Sequence, residues 1–356
     1  MKQSDGRRLP MNDPTRPTAI LTFEGWPGTL GPLEATPDRR PHSIRRVTSI
    51  HTIWPGKIDL TSDLSMVAHG HDVMTAADGA SEVLDDASIQ LSAEGAAHTV
   101  AAISANPPLP GLQAAVGASL MSGFRKALGA SLTDARGSVA GLLLDDLPAA
   151  MVVAASVPIR NGIETTKQLP EWMKLPGAGT PYTCLGHRNG GEMERRRMAG
   201  APLLGQGPPA GDIARPDDPF AWPEMVAMPP HSMRRIRRID VSLAGDELLI
   251  DTHFRDSYME ASGVETSVHE YEVAATATAA DRLVRTVEVR PRVLPGPECP
   301  QASTSAQRVL GQPLDELRKF VRAELRGETV CPHLNDQLRA LADVPSLAQI
   351  LQRQPS

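Results

Sequence analysis

Hydrophobic and polar positions alternate in several short segments of the second half of the chain. Leu248, Ile250 and Thr252 fall on one side of a predicted strand, and a period of two is typical of a strand with one buried face. Further strands are predicted at 268–275 and 283–289. This half therefore begins with strands.

The hydrophobic period then changes to that of a helix. Apolar residues at three- and four-residue spacing predict two amphipathic helices, one along 310–325 and one along 334–344. The first half follows the same order, with strands predicted at 47–53 and 99–104 and a helix near 118–130. The pattern predicts an α+β fold, in which a unit of antiparallel strands is followed by two amphipathic helices.

A short internal similarity links the two halves. His42-Ser-Ile-Arg-Arg46 recurs as His231-Ser-Met-Arg-Arg235, and further short matches follow in the same order. Coincidence among common residues is the alternative, but we interpret the similarity as a tandem duplication with a degenerate first copy. The predicted organisation is a disordered N-terminal tail at 1–40, a first copy at 41–160, a Gly/Pro-rich linker at 161–230 and a second copy at 231–356.

The composition and net charge of the chain disfavour several classes of function. A net charge of −6 and an aromatic content of 3% disfavour nucleic-acid binding, which usually needs a basic surplus and stacking aromatics. The N-terminus is polar, and the apolar stretch 139–159 is interrupted by Asp145 and Asp146, so we expect neither a signal peptide nor a membrane span.

Three cysteines suit a reducing compartment better than a disulfide framework. We predict a cytoplasmic protein that binds a small molecule, without nucleic-acid or membrane partners; homo-oligomer formation is left open.

The sharpest local signal is the sequence Cys331-Pro-His333. Pro332 suits the first position of a helix, which makes Cys331 the predicted N-cap, and the helix dipole favours a thiolate there. His333 is then a candidate ligand or base. Cys299 lies in a predicted loop before the preceding helix, and it converges with this pair if sheet and helices pack compactly.

These residue types are the donors that zinc or another transition metal prefers. We predict Cys299, Cys331, His333 and His269 as metal ligands, with His253 or Asp256 as the alternative to His269. Asp256 would otherwise orient a histidine. In a metal-free alternative, Cys331 is the catalytic nucleophile and His333 or His269 is the base. In a third interpretation, the cysteines are ordinary buried thiols.

Two further features of the sequence are less specific indicators of function. The arginines at 234–238 form either a solvated strand edge or a clamp for a substrate carboxylate, and in the second case Arg235 and Arg238 are the substrate-binding residues. Cys184-Leu-Gly-His187 has the form of a ligand pair, but it falls in the predicted linker. We therefore do not assign it to the site.

Together these motifs resemble a bacterial family, domain-of-unknown-function family 2889, and especially its long members that look duplicated. The resemblance begins near residue 41 and is most specific at Cys331-Pro-His-Leu-Asn-Asp336, where the family usually has Thr in place of Pro332. The family supplies no activity. Its genes often lie near the catabolism of aromatic or steroid-like compounds, which implies a small organic substrate.

The leading hypothesis is a catabolic enzyme with hydrolase- or lyase-type chemistry on an organic acid, ester or thioester. It would use the Cys/His site, either metal-bound or thiol-based. The alternative is a non-catalytic binding or assembly protein, in which the same cluster is structural.

Overall fold

The computed structural model describes residues 25–59, 61–157, 184–199 and 206–353. Within these residues the fold is α+β, as predicted, with one eight-stranded antiparallel sheet. In space the strands follow the order β4-β3-β2-β1-β5-β6-β7-β8. The strands are β1 (Ser43–Ile53), β2 (Leu64–Thr75), β3 (Ser81–Glu94), β4 (Thr99–Asn106), β5 (Met233–Ala244), β6 (Glu247–Met259), β7 (Glu265–Thr278) and β8 (Val284–Val293).

The sheet consists of two four-stranded meanders joined through β1 and β5. Thr48 lies opposite Arg237 at this antiparallel junction, so the two halves of the chain share one continuous sheet. In each half, β1 or β5 carries a buried arginine opposite an aspartate of the next strand: Arg46 faces Asp72, and Arg235 faces Asp256. This shared pattern agrees with an internal repeat, whose origin by duplication stays a prediction.

Helices cover one face of the sheet. Helix α2 (Val139–Ala154) packs against β1, β2 and β3, and helix α6 (Val344–Arg353) packs against β5 and β1. The N-cap of α2 is Ser138, whose hydroxyl accepts a hydrogen bond from the Gly141 N–H at 3.2 Å. None of the helices in the described ranges is both long and apolar enough to cross a membrane. The helices are α1 (Phe124–Asp134), α2 (Val139–Ala154), α3 (Glu192–Met198), α4 (Leu317–Glu324), α5 (Pro332–Ala340) and α6 (Val344–Arg353).

Irregular segments cover the opposite face of the sheet. Ile213 and Trp222 from the predicted linker form a small core with Val47 and Ile236 of the central strands. The Ser267 N–H also donates to the Pro208 carbonyl at 2.9 Å. The described parts of the predicted linker, 184–199 and 206–230, therefore pack on the sheet and helices. The remainder of 161–230 lies outside the described residues.

The N-terminal region also differs from the expectation of a disordered tail at 1–40. Residues 1–24 lie outside the described residues, but 25–40 pack on the protein. Residues 26–31 lie along the outer strand, whereas Leu33 and Thr36 bond to Glu270 of β7 and to Ile213. The Leu30 N–H donates to the Pro291 carbonyl at 3.0 Å, and the Trp26 indole N–H donates to the Leu294 carbonyl at 2.9 Å. These bonds add backbone and aromatic contacts to the edge strand β8, which otherwise exposes unpaired backbone groups.

Candidate functional site

Three neighbouring strands place Arg235, Asp256 and His269 side by side. Arg235 in β5 lies opposite Asp256 in β6, which in turn lies opposite His269 in β7. Directly opposed residues project from the same face of a sheet, so all three side chains face the helical layer. A bulge follows Asp256 and interrupts the regular pairing at the site.

Helix α5 brings two further side chains to this place. Cys331 is the N-cap, with extended backbone at φ −122° and ψ 121°, and Pro332 begins the helix, as the sequence predicts. The Cys331 carbonyl accepts the Asn335 N–H at 2.9 Å, which closes the first turn. Sγ of Cys331 then lies 3.7 Å from Nδ1 of His333.

Asp256, His269 and His333 form a compact group of potential metal ligands. One ligand atom from each residue lies within 4.8 Å of the other two, and Oδ2 of Asp256 is 4.0 Å from Nδ1 of His269. From the sequence, Asp256 was either an alternative fourth ligand or a residue that orients a histidine, and in the structure its carboxylate is one of the three potential ligand groups. Of the predicted ligands in the described chain, Cys299 and Cys331 do not belong to this tight group.

Arg235 binds the carboxylate of Asp256 through two hydrogen bonds. Its Nε and Nη2 donate to the two oxygens of Asp256 at 2.8 and 3.0 Å, and its Nη1 donates to Asp336 of α5 at 3.1 Å. The guanidinium also lies 4.8 Å from the ring centre of Phe254. Arg235 is buried and is already bonded to two carboxylates, so it is not placed to clamp a substrate carboxylate.

Arg238 lies on the other face of the sheet, away from the site. It is completely buried and forms ion pairs with Asp240 and Asp251. Arg237 is likewise buried and donates to Asp146 at 2.8 Å. The solvated edge expected for this run is therefore not present, because carboxylates from the same strand, from the neighbouring strand β6 and from helices α2 and α5 pair with these arginines inside the protein.

Burial controls the protonation of the site. Burial, and after it the charge of Arg235, lowers the pKa of His333 to about 3. Burial, and after it the Cys184 thiol, raises the pKa of Cys331 to about 12, which outweighs the helix dipole invoked from the sequence. At neutral pH the imidazole is thus neutral, the form that binds a metal, while the thiol is protonated and a poor nucleophile.

Cys184 and Cys299 lie next to Cys331, so all three cysteines occupy one region. Burial, and after it the Cys331 and Cys184 thiols, raises the pKa of Cys299. Sequence reasoning left Cys184 out because it lies in a Gly/Pro-rich stretch. The feature of the sequence that could have identified it is the Cys-x-x-His spacing of Cys184 and His187. In the structure this turn bonds to Val330, the residue before Cys331.

A shallow depression lies on the loop-covered side of the molecule, away from these residues. Arg39, Arg215, Asp218 and Phe220 are among its lining residues. Its charges are paired with one another: Arg39 with Asp218 at 2.8 Å, and Arg215 with Asp217 at 2.6 Å. Because these ion pairs satisfy the charged groups, we assign this depression no function.

Comparison with known protein families identifies the half of the chain that carries the site. Residues 233–346 match the family described as protein of unknown function (DUF2889). This part of the chain is similar to the DUF2889 family. The match confirms the resemblance for the second half and includes Arg235, Asp256, His269, Cys299, Cys331 and His333. A search of the curated proteins finds no match to the chain.

Proposed function

We propose that the chain is a metal-dependent enzyme of small-molecule catabolism, with hydrolase- or lyase-type chemistry on an organic acid, ester or thioester. The observation that carries the proposal is the group formed by Asp256, His269 and His333, whose ligand atoms lie within 4.8 Å of one another. One carboxylate and two imidazoles are a common ligand set of catalytic metal sites, where three protein ligands leave positions open for water or substrate.

The hydrogen bonds around Asp256 support its role as a ligand. Each carboxylate oxygen accepts one N–H from Arg235 and keeps a lone pair that is available to a metal. Asp256 and Asp336 together balance the charge of Arg235 and of Arg339, which pairs with Asp336 at 2.6 Å. Arg235 is therefore a positioning residue, which fixes the carboxylate beside the imidazoles.

The exposure of the three ligands defines a direction of approach. Asp256 and His269 are buried, whereas His333 is partly exposed. His333 is the least buried of the three, so we infer that a substrate approaches the site from its side. A metal there would act as a Lewis acid or lower the pKa of a bound water, while the chain supplies the neutral imidazole of His333, the imidazole of His269 and an oriented carboxylate.

The wider setting agrees with this proposal. All three cysteines are free thiols, which suits the reducing cytoplasm that we propose as the location. All the proposed ligands fall inside residues 233–346, the segment that matches the DUF2889 family. Zinc is the first candidate, because imidazole and carboxylate ligands bind it in hydrolytic sites.

A second candidate function is a binding or assembly protein in which the same cluster only holds the fold together. The burial of Asp256 and His269 favours it, as does the position of the cluster between β5, β6, β7 and α5. A metal closed in by protein ligands contributes to folding, and its removal unfolds the domain. In the structural role, removal of the metal unfolds the domain, whereas in the enzyme it removes the activity.

The test is to remove and restore the metal in the full chain. Chelator-treated and zinc-restored protein would be assayed for hydrolysis of aryl esters and acyl thioesters, and their melting temperatures compared. The enzyme proposal predicts turnover that depends on zinc and is lost in His333→Ala, with a largely unchanged melting temperature. His69→Ala, outside the site, is the matched control. A large fall in melting temperature without turnover in any state favours the structural role instead.

A further inference from the structure

Three arginines from two helices converge on the buried carboxylate of Asp145 in α2. Nε of Arg125 in α1 and Nη2 of Arg322 in α4 each donate to Oδ1 of Asp145 at 2.6 Å. Nε of Arg318, one turn before Arg322, donates to Oδ2 at 3.2 Å. One carboxylate in the first half of the chain thus receives a guanidinium group from its own half and two from the second half.

Arg318 has a second carboxylate that balances its charge. Its Nη1 donates to Asp343 at 3.0 Å. Arg46, whose Nη1 lies 3.3 Å from the same carboxylate, is paired with Asp72 through two hydrogen bonds of 2.7 Å. Arg46 and Arg318 therefore share two carboxylates, and the charge of Asp145 is left for the other two arginines of the cluster.

Arg125 and Arg322 combine an unbalanced charge with unused donors at the surface. Among the described residues, Asp145 is the only carboxylate that pairs with either of them, so two guanidinium groups share one negative charge. Their side chains are 29% and 43% exposed. Nη1 of Arg125 and both Nε and Nη1 of Arg322 donate to no group in the described ranges. These N–H groups are available to an anion from solvent.

The charges within the cluster favour a further anion. Burial raises the pKa of Asp145, but the surrounding arginine charges, first that of Arg339, lower it well below its usual range, so the carboxylate is ionised at neutral pH. Burial, and then the charges of Arg339 and Arg125, lowers the pKa of Arg322 against the attraction of Asp145. The cationic form of Arg322 is therefore less favourable here than in water, and a second anion beside it would stabilise it.

We propose that Arg125 and Arg322 bind the phosphate group of a small soluble ligand, while Asp145 holds the two guanidinium groups in place. A phosphate monoester carries a charge of about −1.5 to −2 at pH 7, and its three terminal oxygens accept strong hydrogen bonds. One bidentate arginine already satisfies a carboxylate, so two arginines from different helices favour phosphate. The site shares no residue with the proposed metal group, and the proposal does not depend on the proposed function.

Calorimetric titration of the full chain with inorganic phosphate, at constant ionic strength, tests the site. The wild type is expected to bind one phosphate. Arg125→Gln and Arg322→Gln are each expected to weaken binding by about 10-fold or more, because each variant loses a charge-assisted donor. Lys319→Gln removes a positive charge from the exposed surface of α4 and is the matched control, with unchanged binding. Asp256→Asn should also keep the phosphate, and circular dichroism verifies that each variant is folded.

Further probes define the class of ligand. Phenyl phosphate, a soluble monoester, is expected to bind at least as tightly as inorganic phosphate, and acetate more weakly. Phosphatidylcholine vesicles that contain phosphatidic acid are not expected to retain the protein. Acetate binding as tight as that of phosphate would overturn the choice of phosphate, and binding to the vesicles alone would overturn the choice of a soluble ligand.

The site itself would be overturned by the absence of phosphate binding in the wild type, or by binding that both arginine variants keep in full. An equal loss in Lys319→Gln would also overturn it, because the effect would then be one of net charge. Loss of binding in a folded Asp256→Asn variant would assign the phosphate to the proposed metal group and contradict a separate anion site.

Discussion

The imidazole of His269 in β7 stacks on the imidazole of His333 in α5, with ring centroids 3.4 Å apart and ring planes at 18°. The stack joins the sheet to the helical layer at the candidate site. Two cationic rings at this distance would repel each other, and burial together with Arg235 lowers the pKa of His333 to about 3. His333 is therefore neutral at pH 7, the form of a histidine that binds a metal.

Replacing one ring of this stack separates packing from ligation. His333→Phe keeps an aromatic ring against His269 but removes both nitrogens. We expect zinc affinity to fall by about 100-fold or more, while the free energy of unfolding of the metal-free protein changes by less than about 1.5 kcal/mol. Zinc competition titration and urea unfolding measure the two effects. Unchanged zinc affinity would exclude His333 as a ligand.

Arg235 is expected to contribute strongly to stability. Arg235→Met leaves the buried carboxylates of Asp256 and Asp336 without their shared cation, which costs about 3–5 kcal/mol. The matched control is Arg290→Met, because Arg290 pairs with Glu288 at the surface, and exposed pairs contribute about 0–1 kcal/mol. Urea unfolding of both variants decides the matter. Equal effects would contradict the role assigned to the buried arginine.

His51 predicts a loss of stability in mild acid. This buried residue of β1 has two ring nitrogens with no hydrogen-bond partner among the described residues, and burial followed by the charge of Arg234 lowers its pKa from 6.5 to about 3. Below pH 6.5 the unfolded histidine binds a proton and the folded one does not. Stability therefore falls as pH decreases, by up to about 1.4 kcal/mol per pH unit from this group.

The variant His51→Gln isolates this contribution. Its free energy of unfolding, compared with that of the wild type, should show a smaller decrease between pH 7 and pH 5. Urea unfolding at each pH provides the measurement. A wild-type-to-variant difference that stays constant over this range would show that His51 titrates alike in the folded and unfolded chain.

Gly70 permits the close approach of helix α2 to the sheet. A Cβ atom there would lie 2.7 Å from Cγ1 of Val139 and 2.8 Å from the Val47 carbonyl oxygen. Gly70→Ala is therefore expected to destabilise the fold by about 1–3 kcal/mol, whereas Gly56→Ala, with open space around it, is nearly neutral. Thermal unfolding compares the two. A stable Gly70→Ala variant would show that α2 is more loosely packed than described.

Local chemistry made part of the site predictable. Pro332 identifies the start of a helix, and that start makes Cys331 the N-cap, as the structure confirms. Alternation in β6 predicted the strand that carries Asp256. These features depend on neighbouring residues, so a single sequence is enough to reveal them.

Long-range pairing explains what the sequence did not reveal. Arg235 and Arg237 of β5 are buried because Asp146 of α2, Asp256 of β6 and Asp336 of α5 pair with them, and no local pattern indicates those partners. Cys184 is similar, since the Leu185–Val330 hydrogen bond that attaches its segment joins two distant stretches. The alternation of side chains along a strand does assign Arg235 and Arg238 to opposite faces of the sheet. It does not indicate which face packs against the helices.

Elemental analysis of the full chain, purified without a tag or chelator, tests the central claim most directly. The measurement would compare the wild type with the Asp256→Asn/His269→Gln double variant, and with Glu247→Gln as an exposed control on the same strand. The account predicts that the wild type and the control carry a transition metal, and that the double variant, still folded, holds one equivalent less. Equal metal content in all three proteins, or none in the wild type even after zinc addition, would contradict it.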